Sequence, residues 1–230
     1  MSLLIPAERT KVVFPSTEEA LLAALGGEFG AGLLALPTEY TGSTVAILEA
    51  LLKSASPDST DSVAIFPAAH YVSDTRAFMA HIDLAFEGVN VRPDLVVILG
   101  ATPDYRDRNY VWVEPGKRVL EYFQFFHIND VWRDPSPELA LKLWRNGCLW
   151  STFVTIGQVS TLIRLIYREC PMLRKNLRRS PAATGRDSGP MFPANVYSDL
   201  RECDLSDKLL SGSRRSIAIL PMSGVHWREL

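Results

Sequence analysis

The chain has 230 residues, a formal net charge of −2, 47% hydrophobic residues and 22% charged ones. That balance belongs to a globular protein long enough to bury a sizeable core. It supplies no global field to draw the chain to nucleic acid or to a membrane surface. The three cysteines, Cys148, Cys170 and Cys203, form no Cys-x-x-Cys pair, so neither a disulfide framework nor a zinc site is expected, and reduced core thiols are.

The N-terminus, Met1-Ser2-Leu3-Leu4-Ile5-Pro6, has no basic stretch followed by an apolar run, so no signal peptide is expected. No apolar stretch approaches the roughly 20 residues that span a bilayer. A cytoplasmic location follows as an expectation.

Taken in chain order, short apolar runs alternate with amphipathic stretches. Lys11 to Phe14 reads as a strand stopped by Pro15. Glu18 to Leu25 has helical spacing and stops at Gly26-Gly27. Leu33 to Leu36 is a second strand, closed by Pro37. Ser43 to Ser54 reads as a helix with Ile47, Leu48, Leu51 and Leu52 on its apolar face. Ser62 to Phe66 is a strand ended by Pro67. Asp74 to Phe86 is a helix with Phe78, Ile82, Leu84 and Ala85 inward, and Leu95 to Leu99 is a strand covered on both faces. This alternation predicts a mainly parallel sheet, with ligands collecting beyond the strand ends at Pro37, Pro67 to His70 and Gly100 to Thr102.

The second half differs. Tyr110 to Val113 and Val119 to Phe126 read as antiparallel strands joined by a turn at Glu114-Pro115-Gly116. Ser136 opens a helix to Arg145, with Pro137 at the first helical position and Gly147 past the end. Gln158 to Glu169 is another helix, stopped by Pro171. Arg174 to Pro193 is expected to be a loop, and strand-like sequence resumes at Ser216 to Leu220. The basic stretch Arg164, Arg168, Arg174, Lys175, Arg178, Arg179 and Arg186 reads as a solvated face more readily than as a nucleic-acid contact.

Five segments, in order, carry a resemblance. Leu4 to Thr10 is similar to a Pro-x-Glu-Arg-Thr segment, and Pro37 to Ile47, with Gly42-Ser43-Thr44, to a loop where Gly-Thr-Ala opens a helix. Phe66 to Tyr71 is similar to Pro-Ser-Asp-His-Tyr. Gly100 to Pro103 followed by Tyr110 to Gly116 is similar to Gly-Ile-x-Pro…Tyr-Gly-Trp-Ile-Glu-Pro-Gly, and Leu149 to Val154 to Leu-Trp-Asn-Thr-Phe-Val. Near the end, Asp204-Leu205-Ser206 and Trp227-Arg228-Glu229 fall where Asp-Phe-Ser and Trp-Ser-Asp would stand. Together they resemble the mannose-1-phosphate guanylyltransferase branch of the sugar nucleotidyltransferases.

The resemblance implies an α/β nucleotide-diphospho-sugar transferase-like fold, Rossmann-like and of GT-A type, with a mixed sheet and helices on both faces. It implies one domain, 1–230, without the N-terminal glycine-rich strand and loop. A sheet lacking that strand would be rearranged or completed by another chain, so a homo-oligomer or a pairing with another chain is expected as one solution. The implied reaction moves a nucleotidyl group from GTP, or another nucleoside triphosphate, to a hexose 1-phosphate and releases pyrophosphate. The implied partners are that triphosphate and sugar phosphate, with Mg²⁺ as cofactor.

The positions that such chemistry needs are altered. A metal carboxylate is matched by Ala69, whose methyl group offers no oxygen. A phosphate-binding lysine is matched by Asp134, beside Arg133. An asparagine is matched by Ser151, which cannot make both amide hydrogen bonds. The resemblance carries substrate-binding roles onto Gly42, Ser43, Thr44, His70, Trp112, Trp150, Ser151 and Thr152, and a metal role onto Glu229. No residue is singled out as catalytic. Two readings stay open: residual nucleotidyl transfer, or a non-catalytic domain that binds nucleotide or sugar phosphate or pairs with an active relative. Cys148 has no visible activating partner, and no Gly-x-Ser-x-Gly elbow is present.

Overall fold

The computed structural model describes residues 9–15, 33–36, 43–104, 109–119, 124–177, 205–211 and 214–230. The expected helix at 18–25, the glycine pair at 26–27, the basic loop beyond residue 177 and Gly42 lie outside them. The chain divides into two compact units, Met1–Ser59 with Ile163–Lys208, and Thr60–Leu162 with Leu209–Leu230.

In the first unit, β1 (Val12–Pro15) and β2 (Leu33–Leu36) pair in parallel, Val12 opposite Leu33. Helix α1 (Ser43–Ser54) has the bounds its spacing predicted. Its buried side is Thr44, Val45, Ala46, Leu48, Glu49 and Leu51. Ile47 and Leu52, expected inward, are half-buried. Ala46 packs on Val13 and Ala50. The fully buried Glu49 carboxylate lies 2.9 Å from Lys53 Nζ, one helical turn on. That spacing is the favourable acid-before-base order, and pairing limits the cost of burying the charge.

The second unit holds the larger core, built on a six-stranded mixed sheet. Its strands are β3 (Ser62–Ile65), β5 (Val96–Ala101), β6 (Trp112–Arg118), β7 (Phe126–Trp132), β8 (Leu149–Gln158) and β9 (Ile217–Pro221). They lie in the order β3-β8-β5-β9-β7-β6, and β6 also pairs with β8. A separate antiparallel ribbon joins β4 (His70–Val72) to β10 (Trp227–Glu229). The expectation of a mainly parallel sheet is corrected: of the pairings among the six strands only β5–β9 is parallel.

Helix α2 (Thr75–Val91) starts at Asp74, whose carboxylate accepts from the Ala77 N–H at 2.9 Å. It runs five residues past the expected end, and Gly88 and Val89 join Phe78, Met79, Ile82 and Ala85 in the core. Gly88 is needed there because a Cβ would overlap the buried Phe125 ring. Helix α3 (Pro137–Arg145) keeps the expected Ser136 cap, N1 proline and left-handed Gly147 at φ 75°.

Glu114-Pro115-Gly116 is not a turn but part of β6. Pro115 sits where the β6–β7 register shifts, the place in a sheet that tolerates a missing N–H. A Cβ on Gly116 would strike the Asn129 amide across the ladder. Strand β7 accordingly begins at Phe126, where the expected strand ended.

The residues after Gly147 form β8, which pairs with β3, β5 and β6. Phe153 lies at φ 58°, beside a register shift between Ile98 and Gly100 of β5. The bend lets the start of β8 reach β6 while its remainder continues with β3.

Helix α4 (Val159–Glu169) matches its expected bounds within a residue. Pro171 does not simply stop it but opens α5 (Pro171–Leu177), and α6 (Leu205–Ser211) follows. Arg164, Arg168, Arg174 and Lys175 are exposed. Cys148 is free and buried as expected, whereas Cys170 is disulfide-bonded, a correction to the expected thiol. Sequence spacing does not report which sulfurs meet in space.

Candidate functional site

Strands β5 and β9 run side by side in one direction, so the segments leaving both emerge on one side of the sheet. Thr102, Pro103 and Asp104 follow β5, and Gly224, Val225, His226 and Trp227 follow β9. With Trp144 from the end of α3 and Trp150 from β8, these residues line a cleft of about 530 Å³. Of the strand ends expected to gather a ligand, the one at Thr102 lies in it, and Pro37 lies outside the described residues.

The cleft wall is aromatic. Trp150 stands opposite Ala101 on β5 and Trp112 on β6, and its ring meets Trp112 edge to face at 5.7 Å. Tyr110 lies 4.4 Å from the Trp150 ring and 5.2 Å from Trp227. His70 stands edge-on to Trp227 at 4.9 Å. Trp112, Trp150 and Trp227 are buried, and the indole Nε1–H of each lacks a hydrogen-bond partner. Each such donor costs roughly 1–3 kcal/mol, partly recovered where it meets a neighbouring ring face.

The wall after β9 is held by backbone and side-chain bonds. His81 fixes its start: Nδ1 donates to the Ala77 carbonyl at 2.7 Å, so Nε2 accepts from the Ser223 N–H at 3.0 Å. A carbonyl only accepts and an amide only donates, which sets the tautomer. The His226 N–H donates to Ser73 Oγ, the Ser73 N–H donates to the His226 carbonyl, and the Leu230 N–H donates to the Ala69 carbonyl.

The sequence-derived residues separate into groups. Trp150 lines the cleft, while Trp112 and His70 pack against its lining tryptophans, Trp150 and Trp227. Glu229 stands directly across the β4–β10 ribbon from His70, on the same face as Trp227. Ser151 and Thr152 neighbour Trp150, yet their hydroxyls serve the strand. Ser151 Oγ accepts from the Phe153 N–H, and Thr152 Oγ1 donates to the Leu99 carbonyl and accepts from the Val154 N–H. Ser43 and Thr44 begin α1 in the first unit, where Thr44 is fully buried and Ser43 Oγ accepts from the Leu205 N–H. Asp134 is exposed at φ 42°, a left-handed turn that Asp tolerates better than most residues.

Sequence reasoning had not assigned Trp144, Asp104 or the Gly224–Trp227 wall to a site. Trp144 lies one turn after the buried Ala140 and so reads as core, but 43% of it is exposed. Thr102 carried a signal, as the residue beyond a doubly covered strand.

Magnesium finds a thin donor set. Ala69 brings a methyl group, and Glu229 brings one exposed carboxylate near an imidazole. Among the described residues no three His, Cys, Asp or Glu side chains converge on a point that could hold a metal. A hard cation that wants several oxygens does not fit this arrangement.

Burial lowers the His70 pKa from its ordinary 6.5. The sign follows from linkage: below pH 6.5 the unfolded chain takes up this proton first, so stability falls as pH drops toward the folded-state value. A proton NMR titration is expected to put the His70 midpoint below 6.5, and a midpoint above 6.5 would show a carboxylate partner instead. Burial, with a smaller effect from the Glu114 carboxylate, pushes the Cys148 thiol up to about 11. The native protein at pH 8 should therefore be alkylated at Cys148 about 100-fold more slowly than a free thiol. Equal rates of iodoacetamide labelling would contradict this placement.

Neither a protein-family model nor a curated protein sequence matches the chain. Solved structures do. Mannose-1-phosphate geranyltransferase from Thermus thermophilus is similar at a TM-score of 0.80 and 22% identity, over 99% of this chain. The chain spans 62% of the length of that protein. Mannose-6-phosphate isomerase from Helicobacter pylori is similar at a TM-score of 0.72 and 15% identity, over 96% of this chain and 86% of that one. Likeness at these identities is a likeness of fold. Among the described residues no helix is long and apolar enough to cross a membrane. The mixed sheet, its helices and these neighbours give the chain a sugar nucleotidyltransferase-like fold.

Proposed function

We propose that this chain is a nucleotidyltransferase-type domain that keeps a ligand cleft, while transfer from GTP or another nucleoside triphosphate to a hexose 1-phosphate is weak or lost. One observation carries the reading: among the described residues the cleft is lined by three tryptophans and one acid, with no lysine or arginine. Phosphoryl chemistry depends on cations placed where charge develops. A lining without them among its described residues favours binding over transfer. The altered positions Ala69 and Asp134 support the same reading.

Pyrophosphate release from GTP and mannose 1-phosphate, with magnesium, tests it. The expected rate is indistinguishable from the protein-free control. Turnover of about 1 s⁻¹ or faster, an ordinary enzyme rate, would overturn the proposal.

A further inference from the structure

We infer that His81 is a proton-operated latch on the cleft: its neutral imidazole holds the segment after β9 in place, and protonation releases the turn at Ser223-Gly224. The inference takes this cleft as the ligand site from the proposed function, but the latch itself rests on geometry alone.

The half-buried His81 ring is bonded at both nitrogens. Nδ1 donates to the Ala77 carbonyl, one turn back on α2, at 2.7 Å. That carbonyl can only accept, so the single proton of the neutral ring sits on Nδ1 and leaves a lone pair on Nε2. The lone pair accepts from the Ser223 N–H at 3.0 Å. A second proton, on Nε2, would set one N–H against another. The bond is then lost and the two donors repel. The sign follows: the latch is closed above the His81 midpoint and opens as the pH falls through it.

The bond sits where the wall depends on it. On one side of the turn the Met222 N–H donates to the Gly100 carbonyl at 2.8 Å. On the other, His226 and Ser73 exchange two hydrogen bonds. Among the described residues, Ser223, Gly224 and Val225 make no other backbone hydrogen bond than the one to His81. Gly224 lies at φ 74°, and a Cβ there would meet nothing within 4 Å, so the turn has room to swing. Val225 is buried in the core, which confines the motion to Ser223 and Gly224. Gly224 lines the cleft, so its displacement reshapes the wall.

The surroundings leave the two backbone groups in control of the ring. Helix α2 packs on β3, β5 and β8, none of which carries an ionisable side chain. One turn to either side of His81 on α2 stand Ala77, Phe78, Leu84 and Ala85, and the charged Arg76, Asp83 and Glu87 of that helix are exposed. The wall brings His226, and the β4–β10 ribbon His70, Arg228 and Glu229. Among the described residues none of these groups forms an ion pair with His81.

The experiment follows ¹⁵N–¹H spectra of the whole chain from about pH 8 to about pH 5, the range in which imidazoles change charge. The midpoint of each of the four histidines is read from its own ring ¹³C signals. The Ser223 and Gly224 amide signals are expected to move with the His81 midpoint. Below it the Ser223 amide should lose at least about tenfold of its protection against hydrogen exchange, corrected for the intrinsic effect of pH. The Met222 amide should keep its protection. His81→Gln carries an acceptor that does not titrate, so it should keep Ser223 protected throughout and abolish the shift. His81→Ala should leave Ser223 unprotected at every pH. If that variant fails to fold, the wild type and His81→Gln still decide. The inference is overturned if the Ser223 signal follows the His70 or His226 midpoint, if it follows none, or if the transition survives in His81→Gln. Neither readout involves nucleotidyl transfer, so failure of the proposed function leaves this result untouched, and the converse holds.

Discussion

Trp112→Ala is expected to destabilise the protein by about 3–5 kcal/mol, whereas Trp112→Phe should cost less than about 1.5 kcal/mol. Trp112 is fully buried on β6 and packs edge to face on Trp150. Truncation to Ala removes the whole ring from the core and leaves a cavity that the sheet on one side cannot close. The replacement by Phe leaves a smaller cavity. It also removes an indole N–H that is buried without a partner, so a desolvation cost disappears with it. Urea unfolding of the two variants measures the difference. If both lose the same amount, the indole donor is making a bond that the native state needs.

The second large effect is at Gly88. A Cβ placed there would overlap the edge of the Phe125 ring, which is fully buried. In an exposed helix Gly→Ala stabilises by about 1 kcal/mol. Here overpacking outweighs that gain, and Gly88→Ala should lose about 2–3 kcal/mol net. Phe125→Leu in the same chain makes room for the methyl group. The double-mutant cycle should therefore show a favourable coupling of at least about 1 kcal/mol. A stabilised Gly88→Ala variant would mean that α2 and the Phe125 segment do not meet as described.

The two positions also show which parts of the fold were legible in the sequence. Helix α1, the Asp74 cap of α2 and the Ser136-Pro137…Gly147 frame of α3 follow from local chemistry: capping hydroxyls and carboxylates, a proline at N1, a left-handed glycine. The doubly covered β5 was legible as an unbroken apolar run, and it is buried throughout. Strand β8 was not read as a strand, because Ser151, Thr152 and Thr155 look like loop residues. Their hydroxyls are buried against backbone groups, with Thr152 on Leu99 and Thr155 on Phe153. The turn expected at Glu114-Pro115-Gly116 failed for a related reason. Proline and glycine there serve a register shift and a close approach to Asn129, which no local pattern reveals.

The candidate site was half legible. Trp112 and Trp150 stood in segments similar to a known pattern; Trp150 lines the cleft, and Trp112 packs behind it. The convergence of Asp104, Trp144 and His226 depends on β9 lying parallel beside β5, although more than 100 residues separate them in the chain. Pairing at that distance is set by the whole sheet and leaves no trace in either segment alone. The family-derived expectations at Ser151 and Thr152 named neighbours of the wall whose hydroxyls are committed to the strand.

The reading proposed above is of a retained fold whose cleft, among the described residues, is lined by no lysine or arginine and one carboxylate. Calorimetric titration of the chain with GTP, in the presence and absence of magnesium, tests it most directly. The account predicts no heat that depends on magnesium. Magnesium-dependent binding at micromolar affinity would contradict it.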